Sequence, residues 1–152
     1  MKWFILLFFI SLEAFSQEKN YDSLQVSIDP EVQGTLLSPK GGNQPPLAIL
    51  IAGSGPTDRD GNQAQLKNNS LKYLAEGLAQ KGIATFRYDK RVIAQINKAT
   101  VQEEKMTFED EVNDALLVVN HFKDKYKKIR LNRQKCCSKV VQSLILSTFA
   151  AI

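Results

Sequence analysis

The densest run of chemically useful residues is Gly53-Ser54-Gly55-Pro56-Thr57-Asp58-Arg59-Asp60-Gly61-Asn62. It follows the apolar run Leu47 to Ala52 and precedes a helical pattern. A Gly-rich turn in that place can aim backbone N–H groups at an anion. Three chemistries compete for it. The first is phosphate binding, but Gly61 is followed by Asn62 where a phosphate loop carries Lys, and the third Gly of a dinucleotide fingerprint is missing. The second is calcium. Asp58, Asp60 and Asn62 fit the first three ligand positions of a calcium loop, whereas Gln63 and Asn69 stand where Gly and Glu are required. The third is an oxyanion hole, in which an N–H beyond an inner strand faces a nucleophile carried on a later strand. A plain Asp-Gly turn needs no ligand.

The flanking elements must hold this loop. Leu24, Val26 and Ile28 alternate with polar residues and predict a half-buried strand after a polar, flexible start at Glu18 to Asp22. Val32 to Leu37 predicts a second strand that forms a hairpin with the first. Leu47 to Ala52 suits a strand buried on both faces. Leu71, Leu74, Ala75, Leu78 and Ala79 share one helical face, with Asn69 or Ser70 as N-cap and Gly82 at the C-terminal end. Ile83 to Tyr88 predicts a strand, so strand, loop, helix and strand form a parallel crossover. Asp89 to Glu104 has no clear pattern. Thr107 and Asp110 mark a helix start, and Val112, Ala115, Leu116, Val119 and Phe122 its buried stripe. Glu109, Asp110, Glu111 and Asp114 read as a solvated face that compensates the helix dipole rather than as paired catalytic carboxylates. A third parallel strand is due near Ile129, where Ile129 to Lys135 reads as a poor central strand.

The 152 residues allow one domain, and 43% hydrophobic with 24% charged residues argue against disorder, collagen and a multi-span membrane protein. The net charge of +4 is concentrated between Lys123 and Lys139, where eight Lys or Arg stand against one Asp. A basic tail on a slightly acidic body is not the footprint of a nucleic-acid-binding domain. Residues 1–16 have the three-part pattern of a signal peptide, with cleavage near Ser16-Gln17 and export to the periplasm or beyond. Their apolar run is about half the roughly 20 residues a spanning helix needs, so no stable membrane span is expected. Cys136 and Cys137 are neighbours and read as unpaired thiols, and His121 has no zinc-site spacing, so no metal or cofactor is expected.

The run Ile51 to Asn62 resembles the oxyanion-loop region of secreted bacterial α/β hydrolases of the esterase and serine-aminopeptidase type. The resemblance continues through Asn68-Asn69-Ser70-Leu71, Leu74 to Ala79, Gly82-Ile83-Ala84, Arg87-Tyr88-Asp89-Lys90-Arg91 and the helix Phe108 to Val119. It covers roughly residues 24–128. It implies a partial α/β-hydrolase fold, the N-terminal strands and two crossover helices of a mainly parallel sheet, in residues 17–128. It further implies ester or amide hydrolysis of a small-molecule ester or peptide by a Ser nucleophile. By that resemblance the backbone N–H of Ser54 is the oxyanion donor, and Gly53, Gly55, Asp58, Arg59, Asp60 and Asn62 support the loop. Arg59, Asp60, Arg87 and Asp89 brace loops rather than react.

The resemblance fails in two places. Val92-Ile93-Ala94-Gln95 replaces a glycine-rich turn after Asp89-Lys90-Arg91. Beyond Lys128 such hydrolases carry a hydrophobic strand and Gly-x-Ser-x-Gly, followed by an acid and a His. Ser138, Ser143 and Ser147 have no flanking Gly, and His121 precedes the expected elbow. Residues 129–152 therefore read as an aberrant tail, from a frameshift or a truncated gene. The expected consequence is a chain with the oxyanion side of a hydrolase, no catalytic triad and little or no turnover. The alternative is a small secreted binding module that uses loop 53–62.

Overall fold

The computed structural model describes residues 18–41, 43–98 and 107–133. The proposed signal peptide, the cysteine pair, the three late serines and the tail from Gln134 lie outside them.

Among the described residues five strands form one mixed sheet. They are β1 (Tyr21–Ser27), β2 (Gln33–Pro39), β3 (Leu47–Ile51), β4 (Ala84–Tyr88) and β5 (Ile129–Arg133), in the order β1-β2-β4-β3-β5. Among the described residues three helices accompany them: α1 (Ser70–Gln80), α2 (Arg91–Asn97) and α3 (Phe108–Phe122). The chain is α/β, as expected, with a helix crossing over each face of the sheet. The sheet is less parallel than expected, because β2 pairs antiparallel with both β1 and β4, while β3 pairs parallel with β4 and β5.

The apolar run of β3 serves two cores. Leu47, Ile49 and Ile51 join Ala84, Phe86 and Tyr88 of β4 under Ala115, Val118, Val119 and Phe122 of α3. Leu50 points the other way and meets Tyr21, Leu37, Ala75 and Ala79, the last two from α1. Alternation along a strand thus puts α1 and α3 on opposite faces. Phe86 is fully buried, its ring 4.8 Å from that of Phe122 and 6.1 Å from that of Tyr88. The ring lies over Gly34 of β2, where a Cβ would come within 2.4 Å of it and 2.6 Å of the Arg87 carbonyl. Only Gly admits that approach.

Several local readings need correction. Tyr21 and Asp22 belong to β1 rather than to a flexible start, and Leu24 is exposed. Leu74 is exposed on α1, leaving Leu71, Ala75 and Ala79 as its buried stripe. Asn69 occupies the N-cap with φ 50° but makes no side-chain cap; Asn68 Oδ1 instead accepts from the Ser70 N–H at 3.0 Å. The far end closes as a Schellman motif, Gly82 N–H to Ala79 C=O and Ile83 N–H to Leu78 C=O, both 3.1 Å. On α3 the stripe runs through Val118, while Val112 and Leu116 are only half-buried. Helix α2 falls where no pattern was legible, and none of its residues is buried. The stretch Ile129–Arg133 does pair with β3, from Leu47↔Ile129 to Ile51↔Arg133. Ile129 and Leu131 pack on the α3 core, and Arg130 and Asn132 are exposed.

Thr107 and Asp110 form a full capping box: each side chain accepts from the other's backbone N–H. The Thr107 backbone N–H, and then its hydroxyl, hold the Asp110 carboxyl below its ordinary value. A lowered acid stabilises the fold above its unfolded value, and that contribution is lost as pH falls through the folded value. The start of α3 should therefore fray below about pH 4. Amide protection at Phe108 to Asp110, taken relative to the intrinsic exchange rate at each pH, should fall there, and Asp110→Asn should remove that fall.

Candidate active site

The parallel strands β4, β3 and β5 end on one edge of the sheet, at Tyr88, Ile51 and Arg133. The chain leaves β3 for β4 through α1 on one face, then returns past β3 to β5 through α3 on the other. Such a reversal opens a crevice beyond the carboxyl ends of the strands, where α/β proteins bind ligands. The loop after β3 stands at that point.

Side chains, not regular structure, shape this loop. Asp58 accepts the N–H groups of Asp60 and Asn62 at 2.9 and 2.7 Å on Oδ1, and Asn62 Nδ2 at 3.3 Å on Oδ2. Asn62 Oδ1 accepts from the Asn68 and Asn69 N–H groups at 3.0 and 2.9 Å, and its Nδ2 donates to Asn69 Oδ1 at 3.0 Å. Asx residues thus tie the start of the loop to the start of α1. The Asp58 oxygens that a calcium reading would use already accept N–H groups. Replacing Asn62 with Leu keeps the branched side-chain skeleton and removes four of these bonds. At about 0.5–1.5 kcal/mol each, part of it regained from water, the expected loss is about 2 kcal/mol in urea unfolding.

Two ion pairs fasten the loop to the sheet. Arg59 meets Asp89 through Nε at 2.8 Å and NH2 at 2.6 Å, and its backbone N–H donates to Asp89 Oδ1 at 2.7 Å. Its NH1 reaches Gln25 Oε1 at 2.9 Å on β1. Arg87 Nε donates to Asp60 Oδ1 at 2.8 Å from within the sheet. The structure thus brings Asp58, Arg59, Asp60 and Asn62 into one bracing network, which Arg87 joins from β4 and Asp89 from just past its end.

Gly53, Ser54 and Gly55 lie above this network. Ser54 and Gly55 are exposed, and no described residue accepts a hydrogen bond from the Ser54 N–H. The Ser54 carbonyl accepts from the Thr57 hydroxyl at 3.3 Å, and Thr57 is buried. Lys90, also buried, donates to the carbonyls of Gly53 and Gly55, both at 2.6 Å. Sequence reasoning gave neither Thr57 nor Lys90 a role. The available signal was position: Lys90 follows β4 on the edge that carries the loop.

Asp114 also departs from expectation. It is not on a solvated face: it is buried and paired with Arg91, 2.7 Å away, which reaches Glu31 at 2.6 Å. Burial pushes its carboxyl up, against the pull of the Arg91 guanidinium. This pair anchors the start of α2 to α3. His121 sits beside Lys125 at the far end of α3, and burial, then Lys125, push it below its ordinary value. Among the described residues no three His, Cys, Asp or Glu side chains cluster as metal ligands, and no helix is long and apolar enough to cross a membrane.

No protein-family model matches the chain. Over 92 residues, 60% of the chain, it is 35% identical to Esterase EstD of Thermotoga maritima. The chain spans 22% of that esterase's length. A structure titled Bacterial Heroin Esterase aligns with 88% of this chain and 41% of its own, at 21% identity and a TM-score of 0.49. A second bacterial esterase aligns with 57% of this chain and 34% of its own, at 14% identity and a TM-score of 0.24. The sequence relation to an esterase, taken with the α/β sheet and the braced loop beyond β3, is what the site offers toward a function.

Proposed function

We propose that this chain carries the oxyanion side of an α/β-hydrolase of the esterase type, acting on a small-molecule ester or amide. The observation that supports the reading is the N–H of Ser54, an exposed residue just past the carboxyl end of β3, which has no acceptor among the described residues. Hydrolysis of an ester places negative charge on the carbonyl oxygen. A preorganised N–H at that position stabilises the charge as it develops. The loop is preorganised by Asp58, Asn62, Arg59 and Asp89 before any substrate arrives. The nucleophile of such a hydrolase rises from a turn after the next parallel strand, which here is β5. The 152 residues hold no Gly-x-Ser-x-Gly. The chain by itself therefore turns over no ester. Export after cleavage near Ser16-Gln17 belongs to the same reading.

A chimera tests it. Replacing the matched segment of the Thermotoga esterase with the 92 residues of this chain should leave measurable hydrolysis of a p-nitrophenyl ester. A folded chimera with no activity would contradict the proposal. The unaltered chain should take no label from a fluorophosphonate probe, and a stoichiometric serine adduct would overturn its inactivity.

A further inference from the structure

We propose that Lys90 is a positioning residue for the oxyanion donor: its buried ammonium holds the Gly53 and Gly55 carbonyls so that the Ser54 N–H faces the crevice. The inference rests on the oxyanion reading of Ser54 and adds what sets its geometry.

Lys90 is 5% exposed, and its Nζ lies 2.6 Å from each carbonyl oxygen and 3.8 Å from Glu111 Oε1. A buried ammonium needs such partners, because burying it unpaired would cost several kcal/mol. The two carbonyls come from residues 35 and 37 positions earlier in the chain, so the contact is tertiary. In a trans peptide the C=O and the following N–H point in opposite directions. A Gly53 carbonyl turned toward Lys90 therefore turns the Ser54 N–H away from it. Gly55 sits at φ 78°, which Gly alone adopts readily, and that conformation lets both carbonyls converge on one ammonium. Without the clamp, the Gly-flanked peptide unit is able to rotate and withdraw its N–H. A charged donor on the carbonyl also polarises the peptide and strengthens the N–H on its other side. Glu111 keeps a carboxylate near the ammonium from α3, so the clamp links β3, β4 and α3.

The test uses the full chain, isotopically labelled, with butyrate as a carboxylate surrogate for the oxyanion. In the wild type, Lys90 Nζ should show couplings across hydrogen bonds to the Gly53 and Gly55 carbonyl carbons. The Ser54 amide resonance should move on titration with butyrate. Lys90→Met should shift both carbonyl resonances and weaken the Ser54 response about tenfold, the equivalent of roughly 1.4 kcal/mol. Lys90→Arg should restore part of it. A thermal melt reports whether each variant is folded, and if Lys90→Met is not, Lys90→Gln, which keeps a donor group without the charge, carries the same comparison. A folded variant whose Ser54 amide answers butyrate as the wild type does would overturn the proposal, as would missing couplings in the wild type. Couplings present with a Ser54 amide indifferent to butyrate would instead sink the oxyanion reading, and with it the role given to Lys90.

Discussion

Phe86→Ala should destabilise the chain by about 3–5 kcal/mol, the usual cost of removing a fully buried aromatic ring. The ring touches three elements at once: Gly34 of β2 lies beneath it, Tyr88 follows it on β4, and Phe122 of α3 packs at 4.8 Å. No neighbour can collapse into the space, because β2 and β4 are held in register from Gly34↔Tyr88 to Leu37↔Thr85. Total stabilities of domains this size run about 5–15 kcal/mol, so the loss would take at least about a fifth of the total. Urea unfolding measures it. Phe86→Leu should cost less than half as much, since it keeps most of the volume. A loss under about 1 kcal/mol for the alanine variant would contradict the packing described. Gly34→Ala should also destabilise, and the two effects should not add. Removing the ring relieves the 2.4 Å clash but leaves the 2.6 Å approach to the Arg87 carbonyl.

The elements legible in the sequence were those whose burial is periodic. The run Leu47 to Ile51 reads as a strand covered on both faces because it is one, with α3 on one side and α1 on the other. The Thr107–Asp110 box and Gly82 declare helix ends through local chemistry, and both stand where expected. Helix α2 was not legible because it buries no side chain; Arg91, paired with Asp114 and Glu31, holds it instead. Asp114 read as one more acid in a solvated group for the same reason. A charge run carries no sign of a partner 23 residues away. The residue pattern of β5 was misleading in another way. Arg130 and Asn132 make it look like a poor strand, yet they occupy its exposed face, while Ile129 and Leu131 cover the core.

The candidate site divides similarly. Asp58, Asp60 and Asn62 drew attention as possible ligands, and their oxygens instead accept within the fold: Asp58 and Asn62 from N–H groups of the loop and the approach to α1, Asp60 from Arg87. Lys90 carried no signal of its own, since a buried lysine looks like any other in a sequence. Its meaning appears only when β4 places it under the loop.

The central claim is that the backbone N–H of Ser54, not its hydroxyl, stabilises the oxyanion. The most direct measurement is kcat of the Thermotoga chimera carrying Ser54→Pro beside the same chimera carrying Ser54→Ala. Proline removes the N–H, and losing one oxyanion donor costs about 10²–10³-fold in kcat. Alanine removes only the hydroxyl, and Ser54 is exposed, so its kcat should stay within a few-fold of the parent. Melting both variants separates a lost donor from a lost fold. The account predicts a fall of at least about 10²-fold for proline alone, with KM little changed. Equal losses in the two variants, or a folded proline variant at full activity, would contradict it.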